Sequence, residues 1–259
     1  MRFPDSDRVR YTPNPLAEVI CQLRFKRLLR IESEPPAAFQ EKIRRVYPET
    51  RETNTVSPPL PPQVAQLVGL EPGSIGQRAF DFLTNDSTWK VSLTSHFIAL
   101  TATEYEKWED FRARLEFIEG AFCEVYDVTS FTRVGLRYRD LIQRSKLNLS
   151  GKRWAELLNG DLVGELQAEK FESDAQHAAR ELVLTLDFDD ASVRLYHGFA
   201  QLQGTDERCY LIDSDFFRER ETEKDHVKAI LDRFNREAGK LFRWSIAEPL
   251  HQAMAPQRV

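Results

Sequence analysis

Two nine-residue stretches, 113 positions apart, carry one pattern, and that repeat constrains the fold more than any other feature of the chain. Cys21 to Leu29 aligns with Val134 to Ile142: an apolar residue, then Leu-Arg-aromatic-basic, one variable position and two aliphatics. On a strand, alternate side chains face opposite ways. Leu23 and Phe25 therefore share one face, as do Leu136 and Tyr138, while Arg24 and Lys26, and Arg137 and Arg139, point away. Two strands that each bury an aromatic edge and present a basic one predict a duplicated unit. They do not name a reaction.

The order of elements points the same way. Phe39, Ile43, Val46 and Tyr47 make a helical stripe behind Pro35 and Pro36, ending at Pro48. Residues 49–62 read as a connector stiffened by Pro58, Pro59, Pro61 and Pro62. Strand-like runs follow over 64–70, 78–83, 89–94 and 97–103, with turn chemistry at Asn85, Asp86 and Ser87. Thr103 and Glu106 have capping-box spacing ahead of Trp108, Phe111, Leu115, Ile118, Phe122 and Val125, which recur at helical steps. In the second half a short helix over 152–158 precedes a hairpin, 180–188 and 192–202 around Asp189-Asp190, and another strand at 208–217. Thr222 to Asp225 can cap a last helix striped by Val227, Ile230, Leu231, Phe234, Ala238, Leu241 and Phe242, and the polar tail after Pro249 is expected to fray. The expected fold is α+β: a duplicated two-layer unit, antiparallel sheets each covered by a long amphipathic helix. Its halves divide as 1–148 and 149–259 and pack together.

A formal charge of −5 and a pI near 5.7 disfavour a general polyanion binder, which is usually basic overall. Cys21, Cys123 and Cys209 are odd in number and show no zinc-ligand spacing, so the expectation is buried thiols in a reducing cytoplasm. The N-terminus carries no leader-like apolar run, and the longest uncharged stretch, 53–70, is too polar and proline-rich to span a membrane.

The segment Asn14-Pro-Leu-Ala-Glu-Val19 running into Leu23-Arg-Phe25, with Phe39-Gln40, Tyr47-Pro48, Gly135-Leu-Arg-Tyr138 and Leu241-Phe-Arg-Trp-Ser-Ile246 ahead of Leu250, resembles a sporadically distributed family of uncharacterised bacterial proteins of about this length. The likeness covers nearly the whole chain. It implies no established activity, cofactor or catalytic residue; the patchy distribution implies an accessory place in defence or stress operons.

Candidate sites are few. Arg24, Lys26, Arg133, Arg137 and Arg139 suit bidentate contact with phosphates or with an acidic stretch of a partner, unless neighbouring acids on the sheet already pair them. Asp213 and Asp215, at a strand end, share a face and form a weak candidate pair for one divalent cation; no third acid or base accompanies them. His96, His197 and His226 have no nucleophile in a recognisable elbow, and no glycine-rich phosphate loop exists. The expectation is a non-enzymatic adaptor or regulator, cytoplasmic and without cofactor, whose partner is another protein encoded nearby. A nucleic-acid-associated protein using the arginine-bearing strands is the alternative, and a metal-dependent hydrolase the third.

Overall fold

The computed structural model describes residues 3–55, 77–202 and 204–258. The expected strand at 64–70 and the proline run lie outside them. The chain is mixed helix and strand with a large antiparallel sheet, which is the α+β class. No helix among the described residues is long and apolar enough to cross a membrane.

In chain order, a short β1 (Val9–Arg10) precedes β2 (Leu16–Arg24), where Val19, Cys21 and Leu23 are buried in alternation. Helices α1 (Leu29–Ser33) and α2 (Ala37–Ile43) follow, the latter opening behind Pro36. Strands β3 (Glu49–Thr55), β4 (Gln77–Leu83), β5 (Trp89–Leu93) and β6 (Phe97–Ala102) come next. Then α3 (Trp108–Tyr126) buries Trp108, Phe111, Leu115, Ile118 and Phe122 on one stripe, and it leads through β7 (Ser130–Phe131) to β8 (Arg133–Ile142). Three short helices, α4 (Trp154–Leu157), α5 (Gly160–Val163) and α6 (Glu169–Asp174), precede β9 (Ala179–Thr185), β10 (Ser192–Gln201) and β11 (Arg208–Arg218). The chain finishes with β12 (Thr222–Glu223), α7 (Lys224–Ser245), α8 (Glu248–Ala253) and β13 (Gln257–Arg258).

Two compact units result, and they do not follow the sequence halves divided at 148/149. One unit takes Met1–Val19, Gly135–Glu219 and Val227–Val259; the other takes Ile20–Val134 and Arg220–His226. The reason is non-local pairing. Within the first unit β1 pairs antiparallel with β13, Val9 opposite Arg258. Within the second, β12 pairs with β7, Thr222 opposite Phe131.

In the second unit the strand order is β3-β4-β5-β6-β2, and then the start of β8, whose Thr132 flank donates to the Arg24 carbonyl (2.7 Å). Its core holds Phe25, Phe39, Phe82 and Phe122; the Phe25 and Phe122 rings lie 4.7 Å apart. In the first unit the order is β2-β8-β11-β10-β9, and the Leu141 amide donates to the Pro15 carbonyl (2.9 Å). Phe216, Phe188 and Phe234 pack there, and the buried Tyr138 hydroxyl donates to Asn235 Oδ1 of α7 (2.9 Å).

Several local expectations fail for identifiable reasons. No capping box forms at Thr103: its hydroxyl turns back to the Thr88 carbonyl, and α3 starts only after Lys107. Thr222 likewise bonds the Arg220 carbonyl and sits in a strand. Residues 49–55, read as connector, form β3, paired along its whole length with β4. The described tail is structured rather than frayed: Pro249 falls in the first turn of α8, where a missing N–H costs nothing, and β13 beyond it pairs with β1.

Candidate functional site

In the first unit the face of the sheet that carries Arg137 also carries Arg139, Glu18, Asp213, Asp215, Arg194 and Glu181, by alternation along each strand and by register. Arg194 lies opposite Asp215, and Tyr196 lies opposite both Asp213 and Glu181. Charge alternates strand by strand: acidic on β2, basic on β8, acidic on β11, basic on β10, acidic on β9.

The contacts follow that order. Arg137 clasps Asp213 with both arms of its guanidinium, Nε to Oδ1 at 2.7 Å and Nη2 to Oδ2 at 2.6 Å. Arg139 reaches Glu18 at 3.0 Å and approaches Asp213 at 3.4 Å, and Arg194 lies 3.3 Å from Glu181. Asp213 is only 5% exposed. Burial pulls the Arg137 pKa down, but the bond to Asp213 outweighs it, so the guanidinium is raised above its ordinary value.

Arg137 and Arg139 thus converge on one carboxylate. Asp213 and Asp215 share a face as expected, yet they lie inside β11 rather than at its end. Asp213 accepts a hydrogen bond on each oxygen from Arg137 and has the Arg139 guanidinium at ion-pair distance, so its charge is already compensated, and no acid, histidine and cysteine cluster of metal-holding geometry occurs among the described residues. On the other face of β8, Asp140 is buried without an ion pair among the described residues. Burial first, and then the nearby Asp213, push its carboxyl well above the usual carboxylate range.

The remaining candidate residues lie in the second unit. Arg24 donates to Gln22 Oε1 at 3.0 Å, and Arg133 reaches the same oxygen at 3.3 Å. Lys26 pairs with Glu221 at 2.9 Å, and Ser130 donates to that same Glu221. The Lys26 pair is solvent-exposed and worth about 0–1 kcal/mol.

Sequence reasoning did not single out β9. Among the described residues it is the last strand of its sheet and pairs only with β10. Six of its seven residues are exposed, including Leu182 at 43% and Val183 at 57%, with the large apolar Phe171 of α6 exposed at 58%. A signal was present: Leu182-Val183-Leu184 is apolar on both faces of a strand, as in a strand expecting cover on both sides.

Beside the start of β9 lies a cleft of about 440 Å³ lined by residues of α5, α6, β9 and His197 of β10. Gly198 lets the chain close over this end, since a Cβ there would overlap the Ala178 carbonyl oxygen, which instead accepts from the Phe199 amide at 2.8 Å. His197 Nδ1 lies 2.9 Å from the Tyr210 hydroxyl, and burial followed by Arg180 lowers the imidazole pKa to about 4. No protein-family model matches the chain, and no curated protein matches it.

Proposed function

We propose that this chain is a non-enzymatic interaction protein, an adaptor or regulator whose partner adds a strand to the edge of β9. One observation carries the reading: among the described residues no strand pairs with the outer edge of β9, which also exposes Leu182 and Val183. Edges of this kind are usually blunted or covered, because they template pairing with another chain. Main-chain hydrogen bonds then supply affinity, and alternate side chains supply specificity. The partner is a protein encoded nearby, acting with this one in the cytoplasm as an accessory of a defence or stress operon. The same reading takes the molecule as two copies of one α+β unit, each sheet covered by its long helix; the support is that Phe25 meets Phe122 of α3 while Tyr138 meets Asn235 of α7.

The alternative, nucleic-acid association through the arginine-bearing strands, is disfavoured because Arg137 and Arg139 already spend their charge on Asp213 and Glu18. Metal-dependent hydrolysis is disfavoured by the double clasp on Asp213. Capture of the products of neighbouring genes, repeated over a salt series, tests the reading. The expected result is a protein partner that stays bound as salt rises. Capture of nucleic acid alone, lost log-linearly with salt, would overturn it.

A further inference from the structure

The cleft beside β9 has chemistry that strand addition does not use. His197 is 3% exposed, and its register partner on β9 is Arg180. The Tyr210 hydroxyl is buried and bonds only to His197 Nδ1 among the described residues. A tyrosine that merely accepted from Nδ1–H would leave its own buried O–H unmade, which is the costlier arrangement. The hydroxyl therefore donates to Nδ1, and the neutral ring carries its proton on Nε2. That N–H has no acceptor among the described residues, and His197 is one of the residues lining the cleft. Around it stand Leu162, Leu166 and Phe171, an apolar wall, with Arg180 paired to Glu165, and with Asp174 and His177, as the remaining polar side chains of the lining. A cleft of about 440 Å³ falls at the small end of the range for ligand pockets, roughly 300–1,000 Å³.

We propose that this cleft is a small-molecule site, distinct from the strand edge, for a compact apolar ligand bearing one acceptor oxygen, a carboxylate or carbonyl, which takes the hydrogen bond from His197 Nε2 while its body lies against Phe171 and Leu166. Tyr210 is a positioning residue here: it fixes which ring nitrogen holds the proton. Arg180 adds attraction for a carboxylate, moderated by Glu165 and Asp174, so the neutral carbonyl competes with it.

The test uses three near-isosteric probes on the full chain, with affinity read in every variant from the backbone amide signals of the cleft residues by NMR and, in the unsubstituted chain, from the imidazole nitrogen signals of His197 as well. Phenylacetate and phenylacetamide present an acceptor oxygen; the phenethylammonium ion presents only donors. Both acceptor probes should bind and shift Nε2, the ammonium should not, and the tighter of the two sorts carboxylate from neutral carbonyl. His197→Phe should weaken the acceptor probes roughly tenfold, and His197→Gln, which keeps a donor nitrogen, should restore part of the loss. Should His197→Phe fail to fold, Phe171→Ser, at an exposed position, must weaken both probes as well. Equal binding of the ammonium, no binding of either acceptor probe, or affinity unchanged in a folded His197→Phe and in Phe171→Ser would each overturn the proposal.

Discussion

The β8–β11 face and the β9 edge belong to one sheet of the same unit, and they treat their side chains in opposite ways. On β8 and β11 the charges turn to one another: Arg137 and Arg139 neutralise Asp213, and an acid that looked available to a ligand is buried under two guanidiniums. On β9 Leu182 and Val183 are exposed, and among the described residues the strand has a neighbour on one side only. The difference teaches that a basic stripe on an acidic chain is first a structural feature. A surface for recognition is better marked by apolar area and backbone valences the fold leaves unused.

The largest effect should come from breaking the charged face. Arg137→Glu strands Asp213 beside a second carboxylate, and breaking a buried pair costs about 3–5 kcal/mol, read by a denaturant or thermal melt. A loss below about 1 kcal/mol would make this face as expendable as an ordinary surface and erase the contrast with β9.

Next comes pH, where two buried groups act with opposite signs. Asp140 titrates higher in the folded chain than in the unfolded one, so the folded state holds its proton longer. Its contribution to stability falls as pH rises beyond about 4, the ordinary carboxylate value. Asp140→Asn should therefore raise the melting temperature above neutrality, with the gain vanishing in acid; a gain independent of pH would contradict the buried-carboxyl account. His197, lowered to about 4, is neutral in the fold, so its contribution is lost as pH falls from about 6.5 towards 4. His197→Gln should flatten that acid limb, and an unchanged limb would place the acid sensitivity elsewhere.

The smallest effect on folding should be at the edge. Val183→Lys, at an exposed position, should move stability by less than about 0.5 kcal/mol while abolishing partner capture. A variant that unfolds would return Val183 to structure and remove the reason for reading β9 as a contact surface.

What could be read from the sequence is the part that repeats locally. The 3.6-residue stripe from Trp108 to Phe122 and the turn at Asp189-Asp190, both residues with positive φ, appear where the pattern put them. What escaped depends on which strands become neighbours. Arg137 and Asp213 are 76 residues apart, and nothing in either segment says that they face each other. The same blindness misplaced the division at 148/149, because the first strand pairs with the last. It also hid the edge, since 180–188 reads as one arm of a hairpin, and only the sheet order among the described residues leaves it outermost.

The most direct test of the central claim is amide hydrogen exchange along β9, measured on the free chain and on its complex with the captured partner. A strand added to the edge should slow exchange across Ala179–Thr185 on binding, while β2 and β8 in the sheet interior stay as protected as before. A bound partner that leaves β9 exchanging as fast as in the free chain would contradict it.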